Sequence, residues 1–215
     1  MSALKVAIVT GASSGVGRAS AIALAAAGWS LALFARRAQS LEETKRLCAD
    51  PTKVLLVQGD VSNEEDVKRL FQSTITSFGI PDLSHLPLPP NPQNAGITSP
   101  QVPVEDVSLE TFQQVININL VGPFLCTREA VKQFKAQQPP GGRIINNGSI
   151  SAYTPRPFSA AYTASKHAVL GLTKSTLLDG RAHNITCTQI DIGERSLPTY
   201  PDAARHRSSE VRRRR

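Results

Sequence analysis

"KVAIVTGASSGVGRASAIALAAAG", residues 5–28, decides the fold. The run up to Thr10 is apolar without helical spacing, glycines at 11, 15 and 17 then break it, and a stretch of small residues at helical spacing follows. A short continuous apolar run predicts a strand buried on both faces, as in a parallel sheet covered by helices on two sides. A glycine turn between such a strand and a helix lets backbone N–H groups approach a ligand, and the positive helix end favours an anion such as a pyrophosphate. Gly11, Ser13, Ser14, Gly15, Val16 and Gly17 are therefore candidate dinucleotide contacts. The bland alternative is a glycine turn that only packs a helix close to a strand. It is not a Walker loop, since Arg18 is not followed by Ser or Thr and the glycine spacing differs.

Outward from this stretch the pattern repeats. "SLALFA" (30–35) and "KVLLVQ" (53–58) read as further buried strands, with helices over 15–27 and 40–48 between them. Ser62 and Glu65 predict a capping box for a helix running to Phe78. A long helix is expected over 108–137, a strand at "GRIINNGS" (142–149), a helix from Ala160 to Asp179 and a last strand at "NITCTQID" (184–191). Alternating strands and helices predict an α/β fold, a doubly wound parallel sheet of Rossmann type.

Two segments break the alternation. Residues 79–103 hold seven prolines where a buried central strand is expected, and proline cannot donate to a ladder. The expectation is one domain over 1–193 with an atypical segment at 78–107, a degraded central strand and a truncated C-terminal end. Residues 194–215 read as a disordered basic tail. That tail contributes +4 of the net charge of +7, so the body is only mildly basic. Its arginines have no interleaved aromatic residues, which argues against nucleic acid as a partner. With 215 residues, 40% of them apolar, the chain has enough material for one core. Nothing reads as a membrane span or signal peptide, and a cytoplasmic location is expected. Cys48, Cys126 and Cys187 lack metal-ligand spacing and are expected as reduced thiols, with no metal bound.

The second strand ends "FARRAQSL": Arg36 and Arg37 stand where an acid would accept hydrogen bonds from an adenosine ribose, and no acid precedes Glu42. Arginine there favours a 2'-phosphate, hence NADP(H), over a plain ribose. Asp60 after the third strand either meets the adenine edge or starts the next helix; both readings stand. Tyr162 and Lys166 lie four apart on the last long helix, where they share a face. An ammonium stacked there favours a phenolate, which is the way to make a proton donor of a tyrosine.

These motifs together resemble the short-chain dehydrogenases/reductases with a three-glycine TGxxxGxG turn. The likeness covers roughly residues 4–193: "TGASSGVG", "GDV" at 59–61, "NAG" at 94–96, "NLVGPF" at 119–124 and "GSIS" leading to "YTASK". The resemblance implies a catalytic set of Asn119, Ser149, Tyr162 and Lys166, with Tyr162 as proton donor and acceptor. In this reading Lys166 also holds the nicotinamide ribose, Ser149 bonds the substrate oxygen, Asn119 holds a relay water and Asn94 borders the cofactor. It implies a carbonyl reductase or alcohol dehydrogenase acting on a small organic carbonyl or alcohol. The alternative is a non-catalytic nucleotide-binding relative, which the Pro-rich segment and the short end after Gly193 would explain. The resemblance further implies a homodimer through the helices of Asn119 and Tyr162, with Phe124, Val131, Phe134, Leu170 and Leu177 as candidates for their outer faces.

Overall fold

A computed structural model of the chain describes residues 5–78 and 100–192. The expected Pro-rich segment, Asn94, Gly193 and the basic tail lie largely or wholly outside these residues.

Strand β1 (Val6–Thr10) leads through the glycine turn into α1 (Gly15–Ala26), followed by β2 (Ser30–Ala35), α2 (Ala38–Arg46) and β3 (Val54–Gln58). The three strands pair in parallel with β2 in the middle, Val6 opposite Ser30 and Leu31 opposite Val54. All residues of β1 and β2 are buried, which is why both read as unbroken apolar runs. Helices α3 (Glu64–Phe78), α4 (Leu109–Ile116), α5 (Gly122–Ala136) and α6 (Ala160–Gly180) frame a second parallel pair, β4 (Gly142–Asn147) and β5 (Ile185–Ile190). The chain is thus α/β with parallel sheets, as expected.

One apolar core ties the two strand groups together. Ile8, Phe34 and Val57 from the first group meet Leu70 and Phe71 of α3, Leu125 and Phe134 of α5, and Ile144, Ile185 and Cys187 of the second. A smaller core of Ala7, Val9, Ala21, Ala25, Leu31, Leu33 and Leu41 fills the opposite face under α1 and α2. Alanine at 21 and 25 lets α1 lie close against the strands, which seats the glycine turn at their C-terminal end.

Three local expectations are corrected. The cap of α3 is Asn63, whose Oδ1 accepts from the N–H groups of Glu65 and Asp66 at 2.9 and 3.1 Å; Ser62 instead hydrogen-bonds Asp60. Asparagine competes well with serine as a cap, and the acids at 64–66 suit the helix start. The helix expected over 108–137 is broken by one π-turn at Asn117–Val121, closed by Gly122 N–H donating to the Asn117 carbonyl. Phe134 does not face outward: its ring lies against Gly142, where a Cβ would collide with it, and it is 1% exposed. On α5 it sits about 80° around from Phe124. Phe124 stays exposed, while Val131 and Leu177 are partly buried against the core.

Candidate active site

The glycine turn opens α1 without a side-chain cap: Ser14, the residue before the helix, is extended and its hydroxyl accepts from no helix N–H. No acid lies in the first turn. Gly11 and Gly15 have φ of 62° and 55°, conformations that disfavour a side chain, and a Cβ on Gly17 would collide with the Gly11 carbonyl. The result is a helix start with its positive end and first N–H groups turned to a cradle whose positions 11, 15 and 17 favour glycine. An anion fits it.

Around this cradle the cations are held in place. Arg37 donates from Nη2 to Ser13 Oγ at 3.3 Å and Ser14 Oγ at 3.1 Å, so its guanidinium lies against the turn itself. Arg36 is exposed, its Nη1 3.9 Å from Asp60 Oδ2. Asp60 accepts from the Ser62 N–H and hydroxyl through Oδ1, and its own N–H donates to Asp66 Oδ2. The Asp60 carboxylate therefore anchors the turn before α3 while its second oxygen faces Arg36. Two supports escaped the sequence reading. Arg18 donates to the Ser13 carbonyl at 2.7 Å and to Thr44 Oγ1 at 3.0 Å, and buried Thr44 donates to the Ala12 carbonyl at 2.8 Å. Neither carried a mark in the sequence, where Arg18 and Thr44 read as ordinary helix residues.

The second half of the site forms where β4 ends. Lys166 is 2% exposed, and its Nζ donates to the Asn147 carbonyl at 3.0 Å, 5.5 Å from the centre of the Tyr162 ring. Burial pushes the Lys166 ammonium down to about 8, with the nearby Asp191 carboxylate pulling the other way. Two residues beyond Asn147, Ser149 is buried; its Oγ accepts from the Ser151 N–H at 3.1 Å, which leaves the hydroxyl proton to donate. Asn119 lies in the π-turn, is buried, and donates to Ser165 Oγ at 3.3 Å; Ser165 in turn donates to the Tyr162 carbonyl at 2.7 Å. Asn119, Ser149, Tyr162 and Lys166 thus come from three elements to the end of one strand pair. Asn147 and Ser165, the groups that hold them, were not legible, because one acts through its backbone and the other through a common hydroxyl.

Thiols take no part: Cys48, Cys126 and Cys187 are free and buried, and burial pushes Cys126 and Cys187 each up to about 12. Among the described residues no three His, Cys, Asp or Glu gather as a metal site, and no helix is long and apolar enough to cross a membrane.

The family model for short chain dehydrogenase matches residues 5–199, and the chain belongs to this family. It is 37% identical over 193 residues to a 3beta-hydroxysteroid dehydrogenase of Mediterraneibacter gnavus, covering 86% of this chain and 64% of that protein. A 3-oxoacyl-[acyl-carrier-protein] reductase of Synechocystis is 34% identical over 191 residues, 88% of this chain and 73% of the relative. Among solved structures, the 3-ketoacyl-(acyl-carrier-protein) reductase of Brucella melitensis complexed with NADH superposes with a TM-score of 0.79 at 29% identity, covering 88% of this chain and 75% of that one. An NAD+-bound xylitol dehydrogenase gives 0.79 at 31%, over 88% and 70%. The chain therefore spans under two thirds of the first relative's length.

Proposed function

We propose that the chain is an NADP(H)-dependent oxidoreductase that interconverts a small carbonyl compound and its alcohol. The observation that carries this reading is Lys166, buried, fixed to the Asn147 carbonyl and 5.5 Å from the Tyr162 ring. A buried ammonium is costly to keep without a use. Here it lies over the ring of the tyrosine whose hydroxyl would pass the proton.

The glycine cradle of Gly11, Ser13, Ser14, Gly15, Val16 and Gly17 would hold the pyrophosphate, and Arg36 and Arg37 the 2'-phosphate, with Asp60 and Asn94 at the border. When bound, the cofactor supplies or accepts the hydride. Tyr162 gives its proton to the oxygen that gains charge, Ser149 donates a hydrogen bond to the same oxygen, and Lys166 holds the ribose hydroxyls. Asn119, fixed through Ser165, keeps a water in line to return the proton. Developing charge on oxygen is what such preset donors stabilise most. The reductase of Brucella melitensis and the xylitol dehydrogenase carry NADH and NAD+; support for NADP(H) here comes from this chain's own arginines.

A carbonyl panel assayed by NADPH absorbance tests the reading. Tyr162→Phe should remove turnover by a factor of about a thousand or more while NADPH still binds. The Arg36→Asp, Arg37→Ala double change should bring NADPH affinity down to that of NADH. Binding without turnover of any carbonyl would instead favour the non-catalytic nucleotide-binding reading. A homodimer through α5 and α6 belongs to the same proposal, with exposed Phe124 and Leu178 as apolar contacts. Light scattering should give twice the chain mass, falling to one chain mass for Phe124→Asp.

A further inference from the structure

Asp191, the first residue past β5, stands beside the proposed catalytic groups and has no part in the roles above. Gly148 links Asn147, which takes the Lys166 ammonium, to Ser149, and its N–H donates to the Ile190 carbonyl at 2.9 Å. A Cβ on Gly148 would collide with Asp191 Oδ1 and the Gln189 amide, so the carboxylate rests directly on the backbone between the two catalytic contributions. Gln189 Nε2 donates to Asp191 Oδ1 at 2.7 Å, and Tyr153, in the turn after Ser149, has its phenol held up by burial and by the same carboxylate.

The lining of this edge asks for a donor. Asp191 is exposed and ionised oxygens only accept. Gln189 has given its N–H to Asp191, and its Oε1 is buried with no hydrogen-bond partner among the described residues. The neighbouring cation, Lys166, is buried with its ammonium on the Asn147 carbonyl and is committed to the cofactor ribose in the roles above. A molecule whose carbonyl reaches Ser149 and Tyr162 therefore meets the exposed Asp191 carboxylate next to it.

Resting on the reductase reading, we propose that Asp191 is a substrate-specificity residue: its carboxylate accepts a hydrogen bond from a hydroxyl or ammonium adjacent to the reacting carbonyl and repels a carboxylate in that place. Gln189 holds it in position. The substrate class is thus hydroxylated or amino-bearing carbonyl compounds, and the product class the corresponding diols or amino alcohols, with oxo acids disfavoured.

Hydroxyacetone, butanone and pyruvate are nearly equal in size and differ in the group beside the carbonyl, so kcat/KM for the three with NADPH tests the proposal. The wild type should prefer them in that order. Asp191→Asn keeps the volume and the acceptor for Gln189. It should lower kcat/KM for hydroxyacetone about tenfold, leave butanone within about twofold and raise pyruvate by about tenfold. Asp191→Glu should keep the discrimination against pyruvate, since the charge remains. Equal factors on all three substrates in Asp191→Asn would overturn the specificity role and leave the reductase reading intact. Loss of all turnover in both variants would mark Asp191 as structural and overturn it as well. Failure of the wild type to reduce any carbonyl would overturn both.

Discussion

Lys166 shows at the residue scale how function and stability pull apart. Its ordinary value is 10.5 and burial brings it to about 8, so folding works against its charge. Above pH 10.5 the amine is neutral in both states, and below about 8 it is charged in both, with the folded state carrying the full penalty of desolvation. Stability therefore rises with pH across that window. Relative to Lys166→Met, the wild type should gain on the order of 3 kcal/mol between pH 7 and pH 10.5, read by urea denaturation at both values. Groups common to both chains cancel in this difference. A flat difference would mean that the ammonium is better solvated than its 2% exposure implies. The Tyr162–Lys166 pair was legible because helical spacing is rigid, whereas the acceptor Asn147 was not, since a backbone carbonyl carries no mark in the sequence. Asp191 was quoted only as the last letter of a strand; what gives it meaning is Gly148, 43 positions away in the chain and in contact in the fold.

At the scale of elements, the apolar periods located most helices and strands within a few residues, and the errors fell at caps and irregular turns. Both Ser62 and Asn63 are good caps by type; Asp60 decides between them by taking the Ser62 hydroxyl, which leaves Asn63 to serve the helix. Asn63→Ala should accordingly lower stability by about 1 kcal/mol, and Ser62→Ala by clearly less, in chemical denaturation of the two variants. The π-turn at 117–121 had no sequence signal either, because Ile118, Asn119 and Leu120 are compatible with an ordinary helix. What it does is local: the widened turn sets the Asn119 side chain toward Ser165 of α6, and such turns recur at functional sites. The glycine turn was the opposite case. Its positive φ angles and the tight approach of Gly17 to Gly11 leave so few residue types that the pattern itself announces the geometry.

For the whole molecule, the decisive packing is the core that the two strand groups share. Phe134 is its largest contribution from α5, wedged between the helix and Gly142. Phe134→Ala should cost about 3–5 kcal/mol, and thermal melting should show a single transition moved to lower temperature. Two separate transitions would mean that the strand groups unfold independently. The sequence led to an outward Phe134 because helical position was judged without Gly142, which only the fold brings beneath the ring. The same core has a consequence in time. Ile8, Phe34 and Val57 are made early in the chain, but their partners Phe134, Ile144 and Ile185 follow long after. At about 5–20 residues per second of synthesis, the first strand group would wait several seconds on the ribosome with that face only partly covered. The chain's need for protection from its neighbours is therefore greatest before it is finished, and a chaperone that acts on nascent chains should raise its soluble yield more than one supplied after release.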